Sequence, residues 1–194
     1  MESKFHPNKP QISKMVVLYD YLLSEEWVAE LTGNEFQKDG TPLTEKVTKF
    51  YLENYNGQVE RKGFGIVILD RASVKASLAH GIGRAKSAAF AAVPDIIKNG
   101  KIVDHQTNWK GRGKDTYVVA APVKIGKEGY TGIVVVTQSK VKNNFYLHEV
   151  VLQKNLRIGF KTRTKSGSPI GDDIAKLLKN LETAKFSQKN HEKP

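Results

Sequence analysis

The chain has 194 residues and a formal net charge of +11, with 39% hydrophobic and 26% charged residues and no cysteine. That length and balance describe one folded domain, alone or with an added terminal segment, and exclude a disordered chain. The missing cysteine removes disulfides, thiolate metal sites and a cysteine nucleophile, and no apolar run approaches the roughly 20 residues of a membrane helix.

The charge is spread unevenly. Residues 161–194 hold eight Lys/Arg against four Asp/Glu, a surplus of four, so the other 160 residues carry the remaining seven. A basic body points to a polyanionic partner, with nucleic acid first. The opening "MESKFHPNKP" is polar and has no signal-peptide hydrophobic region. Any export signal is therefore expected on a larger parent chain or on other machinery.

In chain order, Ile12 to Leu31 reads as helical, with Ile12, Met15, Val16, Tyr19, Leu22, Leu23 and Trp27 at three- and four-residue spacing. "LTGNEFQKDGTP" reads as a loop. A second helix is expected with Thr41 as its cap, Pro42 at its first position and Glu45 at its positive end, closing at "NYNG" over 54–57. "GFGIVILD" at 63–70 is a buried strand. Asp70 or Ser73 then caps a helix that His80 and Gly81 close, a further helix runs from Arg84 to about Ala92, and "PDIIKNG" makes one more turn with Gly100 as its stop. The remainder is β-rich, with strands at 101–106, 115–126, 130–139 and 145–153 and a basic loop, "NWKGRGK", at 108–114. Beyond it, Ile174, Leu177, Leu178 and Leu181 suggest a short helix in a loop-like tail. The expected fold is α+β, with N-terminal helices packed on a small antiparallel sheet. The expected division is a helical extension at 1–40, a core at 41–155 and a basic tail at 156–194.

Several residues in this frame could carry chemistry. His80 sits at a helix end, where the dipole favours an imidazolium. Gly81 and Gly83 keep the following backbone open, and Arg84 and Lys86 stand at the start of the next helix. His80 is thus either a capping histidine or a general acid or base beside an anion hole. On "FYLHEVV", alternation puts Tyr146, His148 and Val150 on one face and Phe145, Leu147 and Glu149 on the other. Phe145 and Leu147 look like core, which turns Tyr146 and His148 towards a surface or cleft. His105 precedes the loop in which Trp109 lies among Lys110, Arg112 and Lys114, a mixture suited to single-stranded nucleic acid or to a solvated loop with an aromatic lid. Thr137 and Ser139 end a strand and could meet phosphate oxygens. No histidine pair or acidic cluster has metal-ligand spacing, so no metal and no cofactor is expected. Phosphodiester chemistry would then follow ribonuclease logic. One group takes the proton of a 2′-OH, another protonates the leaving oxygen, and cations stabilise the charge on phosphorus.

The combination "AHGIGRAK…AAVPDIIKNGKI…NWKGRG…YVVAAP…YLHEV", within Lys46 to Leu152, resembles the phage-associated nucleases of the barnase/EndoU/colicin/RelE-like superfamily and the large polyvalent protein-associated domains that overlap with them. The resemblance implies helices on a small sheet, a site on the sheet face and a metal-independent endoribonuclease. Such a toxin or effector of phage or mobile-element origin is often one module of a long polypeptide acting in the cytoplasm. It points to His80 and the "GIGRAK" cations, with a second polar cluster on the late strands. RNA, whether tRNA or another cellular RNA, is the expected partner, together with a cognate immunity or antitoxin protein and no membrane. The competing expectations are a non-catalytic nucleic-acid-binding module, a protein-interaction module and a nucleotide-dependent transferase.

Overall fold

Alternation and capping set the local structure of the chain. The computed structural model of the protein describes residues 21–22, 26–79, 84–107, 113–139 and 144–154, with the backbone alone for 84–86 and 153–154. The stretch Glu25–Asn155 forms one compact unit; Tyr21 and Leu22 are helical and belong to another.

The described elements are β1 (Ala29–Leu31), α1 (Leu43–Tyr55), β2 (Gln58–Arg61), β3 (Gly65–Ile68), α2 (Arg71–Leu78), α3 (Arg84–Ala89), a 3₁₀ turn (Phe90–Ala92), α4 (Val93–Asn99), β4 (Lys101–Gln106), β5 (Lys114–Ile125), β6 (Glu128–Ser139) and β7 (Asn144–Lys154). The fold is α+β. Its seven strands make one sheet in the order β1-β5-β6-β7-β3-β2, with β4 also on β5. The sheet is mixed: β1 lies parallel to β5 and β3 parallel to β7, and the other pairs are antiparallel.

β4 and β1 share one edge of β5. β4 pairs with residues 116–120 and β1 with residues 123–125. Pro122 falls in the gap between them, where its missing N–H costs no ladder bond, and its carbonyl accepts from Val28 N at 2.9 Å. This pairing corrects the helical reading of Ile12 to Leu31: Ala29–Leu31 is a strand. Three residues with helix-compatible side chains take the form that the open edge of β5 imposes.

α1 also starts differently from the expectation. Pro42 is the N-cap, its carbonyl accepts from Glu45 N and Lys46 N, and no side chain caps the helix. Thr41 N instead donates to Asp39 Oδ1 at 2.9 Å. The exit follows the sequence, with Asn56 at φ 53° and Gly57 at φ 68° in the left-handed region. Asp70 caps α2 as expected, its Oδ1 accepting from Ser73 N at 2.8 Å.

α4 packs on β5 and β6 through close backbone approach. A Cβ on Gly132 would lie 2.6 Å from Ile96 Cδ1 and 3.0 Å from Val123 Cγ2, and one on Gly100 would lie 2.5 Å from the Ile96 carbonyl oxygen. Ile96, Ile97, Val93, Val134 and Val150 are buried in this layer. Tyr51 of α1 is buried too, and its hydroxyl donates to Phe90 O at 2.7 Å.

The sheet curls around that layer. Arg61 of β2 donates from Nη1 to Ile97 O at 2.5 Å and from Nη2 to Gly100 O at 2.8 Å. One far strand is thus tied to the end of α4 and the root of β4. The β2–β3 turn carries Phe64 onto Tyr117 of β5 and Phe145 of β7, with ring centroids at 4.8 and 4.1 Å.

Candidate functional site

β4–β5 and β6–β7 are antiparallel pairs, so the connections at 107–113 and 140–143 leave the sheet at the same end. By sequence those connections hold Lys110, Arg112, Lys140 and Lys142. The β2–β3 turn, with Lys62, meets the same end through the contacts of Phe64. Of the sequence candidates, His105, Thr137, Ser139 and Tyr146 are described near this end.

The register sorts those candidates onto two faces. Directly opposed residues share a face. Gln106, Thr116, Thr137 and Tyr146 form one row across β4, β5, β6 and β7. Lys114, Ser139 and Asn144 form the next row on that face, nearer the end. Thr116 and Thr137 are buried and Tyr146 is half-buried. Among the described residues the Thr116 hydroxyl has no hydrogen-bond partner.

His105 is on the other face. It pairs with Tyr117, and the two rings stack at 4.1 Å with an interplanar angle of 7°. Tyr117 continues into Phe64, edge-on at 90°, and Phe64 into Phe145. The His105 side chain is 41% exposed, and its Nε2 lies 4.0 Å from Asp115 Oδ2. Burial, with the Asp115 carboxylate second, raises the Tyr117 hydroxyl above the ordinary phenol range. The structure therefore adds Tyr117, Phe64 and Phe145 to the site. Only the β4–β5 register brings His105 onto Tyr117; spacing along the chain carries no sign of it.

His148 corrects the alternation read from "FYLHEVV". The β6–β7 register shifts between Val135 and Val136: Val136 pairs with Leu147, but Val135 pairs with Glu149 and Val134 with Val150. A β-bulge thus inserts His148. Val150 joins Phe145 and Leu147 on the α4 face, and Glu149 joins Tyr146 and Thr137 on the opposite one. His148 is half-buried and Glu149 buried. The bulged residue is tied to a helix, because Ser77 Oγ of α2 donates to His148 O at 3.1 Å.

The remaining candidates fall outside what can be described. His80, Trp109, Lys110 and Arg112 lie outside the described residues, and for Arg84 and Lys86 the backbone alone is described, at the start of α3. α2 and α3 both pack on β7. Among the described residues no group of His, Asp or Glu could hold a metal, and no helix is long and apolar enough to cross a membrane.

Fold and site together define an α+β domain with a curled mixed sheet and a basic sheet end. Residues 38–146, more than half of the chain, match the model of the family described as large polyvalent protein-associated domain 3. The chain belongs to that family. The match bears out the phage-associated, polyvalent-protein part of the resemblance and names no nuclease. No curated protein and no solved structure matches the chain.

Proposed function

We propose that this domain binds single-stranded RNA at the basic end of its sheet, as one module of a phage-associated polyvalent protein. The observation that carries the reading is the His105–Tyr117 stack, an exposed ring on a fixed aromatic support. A base can lie on such a ring at little entropic cost, because Phe64 already holds Tyr117 in place. By sequence the connections at that sheet end hold Lys110, Arg112, Lys140 and Lys142, which would meet the phosphates. Trp109 would add a second stacking surface.

A second reading is favoured by the bulge at His148. Bulges often re-aim a side chain beside an active site, and the extra residue here is a histidine next in sequence to the buried Glu149. In that reading the domain is a metal-independent endoribonuclease. His148 and His80 share the acid and base roles, Arg84 and Lys86 stabilise the phosphorane, and an antitoxin or immunity protein restrains it in the cytoplasm.

One pair of assays separates the readings. Anisotropy with a labelled single-stranded RNA should give binding that weakens steeply between 50 and 200 mM salt. Total RNA should be incubated in EDTA with wild type, His80→Ala and His148→Ala. Fragments made by wild type and lost in a histidine variant establish cleavage. Intact RNA with salt-sensitive binding leaves the binding module, and no binding at all rejects both.

A further inference from the structure

Near the β2–β3 turn, but outside the aromatic array, a cleft of about 610 Å³ opens between the C-terminal end of α1 and β2, with Lys98 of α4 on its wall. The volume falls in the range of small-molecule sites. The lining is unlike that of an apolar ligand pocket. Asn54, Asn56 and Gln58 bring side-chain amides, Lys62 and Lys98 bring ammonium groups, and Glu60 brings the one carboxylate.

The Lys98 ammonium lies 5.9 Å from the centroid of the Tyr55 ring, with the Asp95 carboxylate in electrostatic reach on the same helix. Among the described residues neither Lys62 nor Lys98 is in a salt bridge. Asn54 spends one amide hydrogen on Phe50 O at 2.9 Å and keeps its carbonyl oxygen. Two ammonium groups line the cleft against one carboxylate, with Asp95 also acting on Lys98, and a pair of ammonium groups suits a phosphate monoester carrying roughly −1.5 to −2 charge at neutral pH. Amides that both donate and accept match the edge of a base, and a carboxylate can accept from ribose hydroxyls or an exocyclic amine.

We infer that this cleft binds a nucleoside monophosphate, with the phosphate at Lys62 and Lys98 and the nucleoside against Asn56, Gln58 and Glu60. The same chemistry is offered by a free nucleotide and by the phosphorylated end of an RNA strand. Only the second source rests on the RNA reading above.

The test uses the full ¹⁵N-labelled chain, titrated in turn with AMP, inorganic phosphate, and a hexaribonucleotide with and without a 5′-phosphate. Wild type should show saturable shifts of the amides from Asn54 to Lys62 and of Lys98. Lys62→Gln with Lys98→Gln should weaken this binding at least tenfold, and inorganic phosphate should bind less tightly than AMP. AMP binding identifies the free source, and binding of only the phosphorylated hexamer identifies the strand end. The inference is overturned if neither ligand shifts these amides, if the lysine variants bind unchanged, or if inorganic phosphate does as well as AMP. Loss of the RNA reading would leave the AMP arm intact, so the two failures remain distinct.

Discussion

Arg61 and Gly100 stand thirty-nine residues apart, yet the guanidinium Nη2 donates to the Gly100 carbonyl at 2.8 Å while Nη1 holds Ile97 O. One side chain thereby satisfies two carbonyls at the end of α4 and pins β2 against it. Hydrogen bonds to a charged group contribute about 1.5–3 kcal/mol each. Arg61→Met should lower the stability of the body by about 2–4 kcal/mol in urea melts, and Arg61→Lys should recover only part of it.

The two glycines under α4 should respond differently to alanine. At Gly132 the new Cβ meets the far end of the Ile96 side chain, whereas at Gly100 it meets the Ile96 backbone carbonyl. Gly132→Ala is expected to cost about 1–3 kcal/mol, and Ile96→Val should relieve part of that in a double-mutant cycle. Gly100→Ala should cost more, with no relief from Ile96→Val.

Ser77 is the support of the bulge. Its hydroxyl reaches both Ser73 O and His148 O, each at 3.1 Å. Ser77→Ala leaves the His148 carbonyl without that donor, at an expected cost of about 1–3 kcal/mol. Amide hydrogen exchange should speed up around 147–149 more than around 130–134. Uniform acceleration would show that Ser77 acts on the whole body rather than on the bulge.

The stacked pair predicts an RNA phenotype with little effect on folding at one of its members. His105 is exposed on an edge strand, so His105→Ala should keep the thermal midpoint nearly unchanged. It should weaken single-stranded RNA binding by the roughly 1–3 kcal/mol of a lost stacking contact, about 5- to 150-fold. Tyr117→Ala should weaken both binding and stability, because Phe64 packs on the same ring.

Asp39 gives the acid limb of stability one identifiable component. Its carboxyl is lowered from 3.8 to about 2, first by the Lys46 ammonium and then by the Thr41 N–H. A carboxyl lowered on folding stabilises the folded state above its unfolded pKa, and that contribution is lost as pH falls towards the folded value. The window is therefore pH 4 down to 2, with the larger stability on the high side. Asp39→Asn should flatten the wild-type slope there, and added salt should shrink the difference because the carboxylate is exposed.

Much of the body is legible from residues with a local job. Asp70 caps α2, Asn56 and Gly57 end α1, Gly100 stops α4, and β4 has the bounds that "KIVDHQ" suggests. What escaped the sequence depends on partners distant in the chain. β2 is "QVER", with one buried residue, too short and polar to stand out before its pairing with β3 is known. β1 is defined by the edge of β5 alone. The site divides in the same way. Thr137, Ser139 and Tyr146 do come together at one sheet end, because strand ends gather wherever hairpins turn. His105 goes to the opposite face, since the register shift between Ile102 and Asp104 sets the parity of the last residues of β4.

The bulge at His148 can also be stated as a count. Ten consecutive residues of β6, Tyr130 to Ser139, find partners among the eleven of β7, from Asn144 to Lys154. His148 is the extra residue in that count, and its carbonyl accepts from Ser77 of α2. The irregularity in the ladder is thus also the place where β7 is fastened to a helix.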